Sequence, residues 1–157
     1  MQMVDIPRNK KIILFDGVCN LCNESVLKVI KYDKKNIFLF AALQSEIGKN
    51  ITNSLHIDTS KIDSIILYES GVSYEIKSTA ALKVMNDFGG LWSISQIGML
   101  FPGAFRDYIY DFIARNRYKW FGKKESCMIP SPELKSKFLD WGMHKNSYRC
   151  YKVFLIF

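Results

Sequence analysis

The sequence predicts an α/β protein built on a four-stranded mixed sheet, and three observations carry that prediction. Two short, continuous apolar runs, Ile12-Ile13-Leu14-Phe15 and Ile37-Phe38-Leu39-Phe40, flank a stretch with helical spacing. That is the pattern of two buried parallel strands joined by a crossover helix. Farther on, Ser64–Tyr68 and Val72–Lys77 bracket a Ser70-Gly71 turn. The second of these alternates, with Val72, Tyr74 and Ile76 on one face and Ser73, Glu75 and Lys77 on the other, which marks an antiparallel hairpin with a solvated side. A third apolar helix pattern follows the hairpin directly.

Taken in order, Ile12–Phe15 is bounded by Lys11 and Asp16, as a strand buried on both faces should be. The helix from about Asn23 to Tyr32 turns Val26, Leu27, Val29 and Ile30 inward and Lys28 and Lys31 outward; Asn36 then breaks the pattern ahead of the second strand. A unit of that length requires a right-handed crossover. Between Leu43 and Thr59 the spacing supports a short helix over 44–49, with His56 a structural or solvated residue. After the hairpin, Ser78 is placed to cap a helix carrying Ala81, Leu82, Met85 and Phe88, and Gly89-Gly90 ends it. Strand–helix–strand followed by hairpin–helix is the element order of a thioredoxin-like fold (a βαβ–ββα core).

Beyond residue 90 the signal becomes helical. Leu91–Phe101 stops at Pro102-Gly103, and the next helix has Phe105, Tyr108, Ile109, Phe112 and Ile113 at i, i+3, i+4, i+7 and i+8. These helices are expected to pack on the sheet or on each other; the alternative for 91–105 is a membrane surface. Pro132 suits the first turn of a short helix after Pro130. The chain thus reads as a single domain, 1–157, with a core over 10–90, a helical extension over 91–140 and a tail over 141–157 that could be a strand or a docking segment.

Composition narrows the class. At 157 residues the chain is long enough to bury a real core, and 24% charged residues is ordinary for a globular protein. Met1–Lys11 has no apolar h-region and no run approaches a membrane span, so a secreted or integral-membrane protein is not expected. Four cysteines are too few for a disulfide-stapled scaffold, which favours a cytoplasmic dithiol that cycles. The net charge of +7 favours acidic partners.

The stretch with chemistry in it is Asp16-Gly17-Val18-Cys19-Asn20-Leu21-Cys22, a Cys-x-x-Cys pair at a strand-to-helix junction. In a first helical turn, residues three apart bring their Cβ atoms to roughly 5–6 Å. A disulfide needs about 3.5–4.5 Å, so a small adjustment makes or breaks the bridge. Unpaired N–H groups and the helix dipole favour thiolate over thiol at Cys19, which suits a nucleophile with Cys22 resolving the mixed intermediate. Two other readings stay open: half of a zinc site completed from Cys127, Cys150, His56 and His144, or two inert buried thiols. Asp16 would accept a proton from Cys22 during resolution or cap the loop through backbone N–H groups. The basic–aromatic stretch 115–124 (Arg115 to Lys124) can be a helix end, a surface for an anionic substrate or thiol, or a site for single-stranded nucleic acid.

The Asp-x-x-Cys-x-x-Cys stretch resembles the defining motif of the DCC family of thioredoxin-like thiol–disulfide oxidoreductases. Phe40-Ala41-Ala42-Leu43-Gln44-Ser45 and Ile113–Gly122 are also similar to that family, as is Cys127 followed by Pro130. The resemblance spans about Lys10 to Leu139. It implies a thioredoxin-like fold and a protein-disulfide reductase type of activity on a protein or small-molecule thiol or disulfide, with Cys19 and Cys22 catalytic and no cofactor or metal required. Cys127, among polar neighbours, is a candidate auxiliary thiol on the active-site side of the sheet. One departure is visible: thioredoxins carry a cis-proline ahead of the third strand, facing the dithiol, and here Ile62-Asp63-Ser64 stands in its place.

Overall fold

A computed structural model describes residues 9–59, 64–69, 71–123 and 134–139. The elements are β1 (Lys11–Phe15), α1 (Asn20–Tyr32), β2 (Phe38–Ala42), α2 (Glu46–Ser54), β3 (Ile66–Glu69), β4 (Ser73–Ile76), α3 (Lys77–Phe88), a 3-10 segment Gly90–Leu100, α4 (Gly103–Phe121) and a 3-10 turn Lys135–Lys137. The sheet order is β2-β1-β3-β4. β1 runs parallel to β2 (Ile13 opposite Phe40), while β1–β3 and β3–β4 are antiparallel. This is the mixed four-stranded sheet expected, and its connectivity is that of the thioredoxin-like fold.

Alternation along the strands divides the core in two. Ile13, Phe15, Phe38, Phe40 and Leu67 pack with Val26 of α1 and Ala80 and Val84 of α3; Ile12, Leu14, Ala41 and Ile66 pack with Ile47 and Ile51 of α2. Central β1 is therefore covered on both faces, which is why it reads as an unbroken apolar run. Phe138 closes one end by packing its ring against Phe15 and Phe40.

Several boundaries differ from expectation. α1 starts at Asn20, so Cys19 is its N-cap and Cys22 lies in its first turn. α2 runs to Ser54, its start held by Ser45 Oγ, which accepts the Gly48 N–H at 3.0 Å. Ser78 is not a cap: Ile76 holds that position without a side-chain bond, and Ser78 Oγ donates to Asp107, tying α3 to α4. Val72, just ahead of β4, and Tyr74 on it are exposed, because the strand is at the sheet edge and no layer of the described residues covers that face. Leu27 of α1, expected inside, is also exposed.

The largest correction concerns the C-terminal helices. Residues 90–100 form 3-10 turns with no buried side chain, and the Phe105–Ile113 stripe of α4 faces outward, every member at least 41% exposed. α4 docks instead through Ala114 and Arg117, its two buried residues, with Tyr110 on the same side. The cause is polar rather than apolar. The Tyr110 hydroxyl accepts the Ile65 N–H at 3.1 Å, Lys77 pairs with Asp111 at 2.8 Å, and Arg117 reaches a buried carboxylate. These bonds fix the rotation of α4 about its axis, and Ala114 is small enough to let it approach.

Candidate active site

The site is built where β1 gives way to α1. Asp16, 6% exposed, ends the apolar strand as a buried carboxylate, and such a group must be hydrogen-bonded and paired. Its Oδ1 accepts the Val18 N–H at 3.1 Å and Gln44 Nε2 at 2.8 Å. Its Oδ2 accepts Arg117 Nη2 at 2.8 Å and the Tyr118 hydroxyl. Gln44 returns its other end to the loop, accepting the Gly17 N–H at 3.2 Å. Asn23 Nδ2, from inside α1, donates to the Gly17 carbonyl at 3.1 Å. Three separate parts of the chain therefore hold the Asp16–Val18 turn, and that turn sets where Cys19 begins the helix.

Cys19 Sγ accepts the Cys22 N–H at 3.3 Å, a sulfur doing the work that serine or aspartate usually does at an N-cap. Both sulfurs thus lie on one turn as free thiols. Their surroundings differ. Cys19 is wholly buried: Lys123 pairs with it in an antiparallel bridge, and Asn20 Nδ2 donates to the Phe121 carbonyl at 2.8 Å beside it. Cys22 is half-buried and lines a cleft of about 360 Å³ between α1, α3 and α4. Burial pushes the Cys22 thiol up, and the hydrogen bond to Cys19 and the charge of Cys19 push it the same way. Cys22 therefore holds its proton more tightly than a free thiol does.

The tyrosines and arginine around the site hold fixed protonation states. Burial and the bond to Asp16 push Tyr118 up to about 12, so it remains a donor. Burial, with smaller contributions from the charges of Cys22 and Asp111, does the same for Tyr110, again to about 12. Burial works against the Arg117 guanidinium, but bonding to Tyr118 and the charges of Cys22, Tyr118 and Asp16 outweigh it and its net shift is upward. Arg117 also packs over the Tyr118 ring at 4.8 Å, and Lys123 lies over the same ring at 5.3 Å.

The structure thus brings Asp16, Cys19 and Cys22 together. Asp16 does bond a backbone N–H in the loop, and its oxygens are each engaged twice. Cys127 lies outside the described residues, as do Cys150 and His144. His56 is exposed at the end of α2, and among the described residues no three His, Cys, Asp or Glu side chains gather as metal ligands. The basic–aromatic stretch is divided: Arg117 and Tyr118 turn inward to Asp16, while Arg115, Lys119, Trp120 and Lys123 stay exposed. Sequence reasoning missed the roles of Gln44, Tyr110, Arg117 and Tyr118. The available signal was a second stripe on α4, Tyr110-Ala114-Arg117 at i, i+4 and i+7, beside a carboxylate that needed a cation.

A thioredoxin-like sheet with a capped Cys-x-x-Cys at the first strand–helix junction defines a class of dithiol proteins. Residues 13–123 match the DCC1-like thiol-disulfide oxidoreductase family, and the chain belongs to it. The chain is 46% identical over 129 residues to the "uncharacterized protein YuxK" of Bacillus subtilis (strain 168), covering 82% of this chain and 93% of that one. It is 42% identical over 124 residues to a chloroplastic DCC family protein of Arabidopsis thaliana, covering 76% and 70%. No solved structure matches. Family membership supports a thiol–disulfide oxidoreductase role in general terms. Among the described residues no helix is long and apolar enough to cross a membrane.

Proposed function

We propose that this protein exchanges a Cys19–Cys22 dithiol with a disulfide on a protein or small-molecule partner, a reductase in the cytoplasm. The observation that carries the reading is the N-cap itself: Cys19 Sγ bonded to the Cys22 N–H at 3.3 Å, with the Asp16 network fixing the turn. A sulfur in that position faces the positive end of the helix dipole, and Cys22 supplies the second sulfur one turn away. The low cysteine count supports a reducing compartment. Attack by Cys19 on a large disulfide requires Lys123 to lift from it, and the Gly122 backbone at φ 78° is the hinge beside that cover. Asp16 acts by holding the loop. Cys127, close behind Lys123 in the chain, is the auxiliary thiol of this reading.

The test is equilibration of the protein in glutathione redox buffers, with acid quenching and mass mapping of the cysteines. The expected result is a single Cys19–Cys22 bridge that forms and breaks reversibly. Pairing of either cysteine with Cys150 in its place, or no Cys19–Cys22 bridge at any poise, would overturn the proposal.

A further inference from the structure

We propose that the cleft beside Cys22 admits a small aliphatic, uncharged thiol, and that such a thiol exchanges with the oxidised pair at Cys22 rather than at Cys19. This rests on the dithiol reading and names the substrate class of the same site. Three features of the cleft carry it. Its size, about 360 Å³, is at the small end of ligand pockets, roughly 300–1,000 Å³. Its walls are mainly apolar, among them Val29, Ala81 and Met85; of its charged residues Asp16 and Arg117 are paired with each other and Lys28 is exposed, and Cys22 is the cysteine that lines it while Cys19 is sealed. Trp92 and Ile113 belong both to the lining and to the exposed apolar surface, so an apolar molecule meets apolar side chains from outside to the sulfur.

The polar end of the cleft points to a ligand as well. Ser64 is 3% exposed, and its Oγ has no hydrogen-bond partner among the described residues although it lines the cleft. A buried hydroxyl left so is costly, and a bound hydrogen-bonding group removes the cost. The Tyr110 hydroxyl lines the same cleft and accepts the Ile65 N–H. Both hydroxyls suit one uncharged polar group, such as an amide or hydroxyl, on an otherwise aliphatic thiol. The absence of a proline at Ile62-Asp63-Ser64 fits a site that does not select an extended peptide.

The exchange balances as follows. A thiolate RS⁻ attacks Cys22 Sγ of the bridge; the Cys19–Cys22 bond breaks, R–S–S–Cys22 forms, and the electron pair leaves on Cys19 Sγ. A second RS⁻ attacks the R-bearing sulfur of that mixed disulfide, releasing R–S–S–R, and Cys22 takes up a proton. Two thiols are oxidised and one protein disulfide is reduced. Attack at Cys22 leaves the departing Cys19 sulfur at the helix end, where it accepts the Cys22 N–H.

The test mixes the purified, oxidised protein with butanethiol or with glutathione, quenches in acid and maps the mixed disulfide by peptide mass. The adduct is expected on Cys22. Per thiolate, butanethiol should react at least about tenfold faster than glutathione, about 1.4 kcal/mol of discrimination. That ratio should fall towards unity in Ala81→Leu, which fills the cleft, or in the milder Ala81→Val should the first variant not fold. An adduct on Cys19, equal rates for the two thiols, or a ratio unchanged by Ala81 substitution in a folded protein would overturn this inference while leaving the bridge intact. A starting protein that forms no Cys19–Cys22 bridge would overturn the exchange reading itself.

Discussion

Asp16 and Arg117 lie 101 positions apart and are both nearly sealed from water, and each is the oppositely charged partner of the other. Breaking such a pair leaves an uncompensated ion. Asp16→Asn is therefore expected to destabilise the protein by about 3–5 kcal/mol in urea unfolding, and Asp16→Asn with Arg117→Met should recover part of that loss. Additive effects in that double variant would show that the two are not coupled. If the loop is held as described, Asp16→Asn slows attack and resolution alike; loss confined to resolution would indicate a proton-accepting role instead. Cys22 makes a pH prediction with a definite sign. Its folded value is raised, so the unfolded chain releases that proton first, from about pH 8.5, and above this the unfolded state binds fewer protons. Stability of the reduced protein should fall between pH 8 and 9.5, by at most about 1.4 kcal/mol per unit for this proton. Cys22→Ser should flatten that limb, since the Tyr118 phenol begins to contribute only from about pH 10. Superimposable profiles for the two proteins would contradict the assignment.

At the scale of elements, α2 and α4 are attached by different means. α2 is seated by an apolar stripe and by Gly48, where an added Cβ would stand 2.1 Å from the Ala42 carbonyl oxygen at the end of β2. Backbone cannot give way there as a side chain would. Gly48→Ala should cost about 3 kcal/mol or prevent folding, well beyond the roughly 1 kcal/mol expected for removing the N-cap in Ser45→Ala. Near-equal losses in the two variants, read from urea midpoints, would show that α2 can shift away from the sheet. α4 is seated chiefly by Tyr110, Ala114 and Arg117, and most of its apolar stripe faces away from that attachment.

Across the whole molecule, apolar surface is divided unevenly. The core around the sheet is closed, whereas Leu91, Leu100 and the outer stripe of α4 remain in water, Leu91 at 85% and Leu100 at 82% exposure. Substitution there removes nothing from the folded state. Leu91→Glu and Leu100→Glu should change unfolding free energy by no more than about 0.5 kcal/mol, whereas Ala114→Glu, at a buried position, should abolish the cooperative transition. A large loss in Leu91→Glu would mean that the segment is covered in solution.

Much of the architecture was legible because it is local. Unbroken apolar runs at Ile12–Phe15 and Phe38–Phe40, the break at Asn36 and the Gly89-Gly90 stop each depend on neighbours in sequence, and so does the placing of Cys19 and Cys22 on one helical turn. Those features, with the motif, determined the sheet, its order of elements and the place of the dithiol at the start of α1. What the sequence left open was every choice made between distant segments. Periodicity marks an apolar stripe on α4 but cannot weigh it against the need of a buried carboxylate 101 residues away, and the carboxylate won. Spacing puts two sulfurs on one turn but does not say which is covered; Lys123, arriving from the end of α4, covers Cys19 and leaves Cys22 to the cleft. Burial is a property of the assembled structure, and here it covers one sulfur of the pair and leaves the other at a cleft.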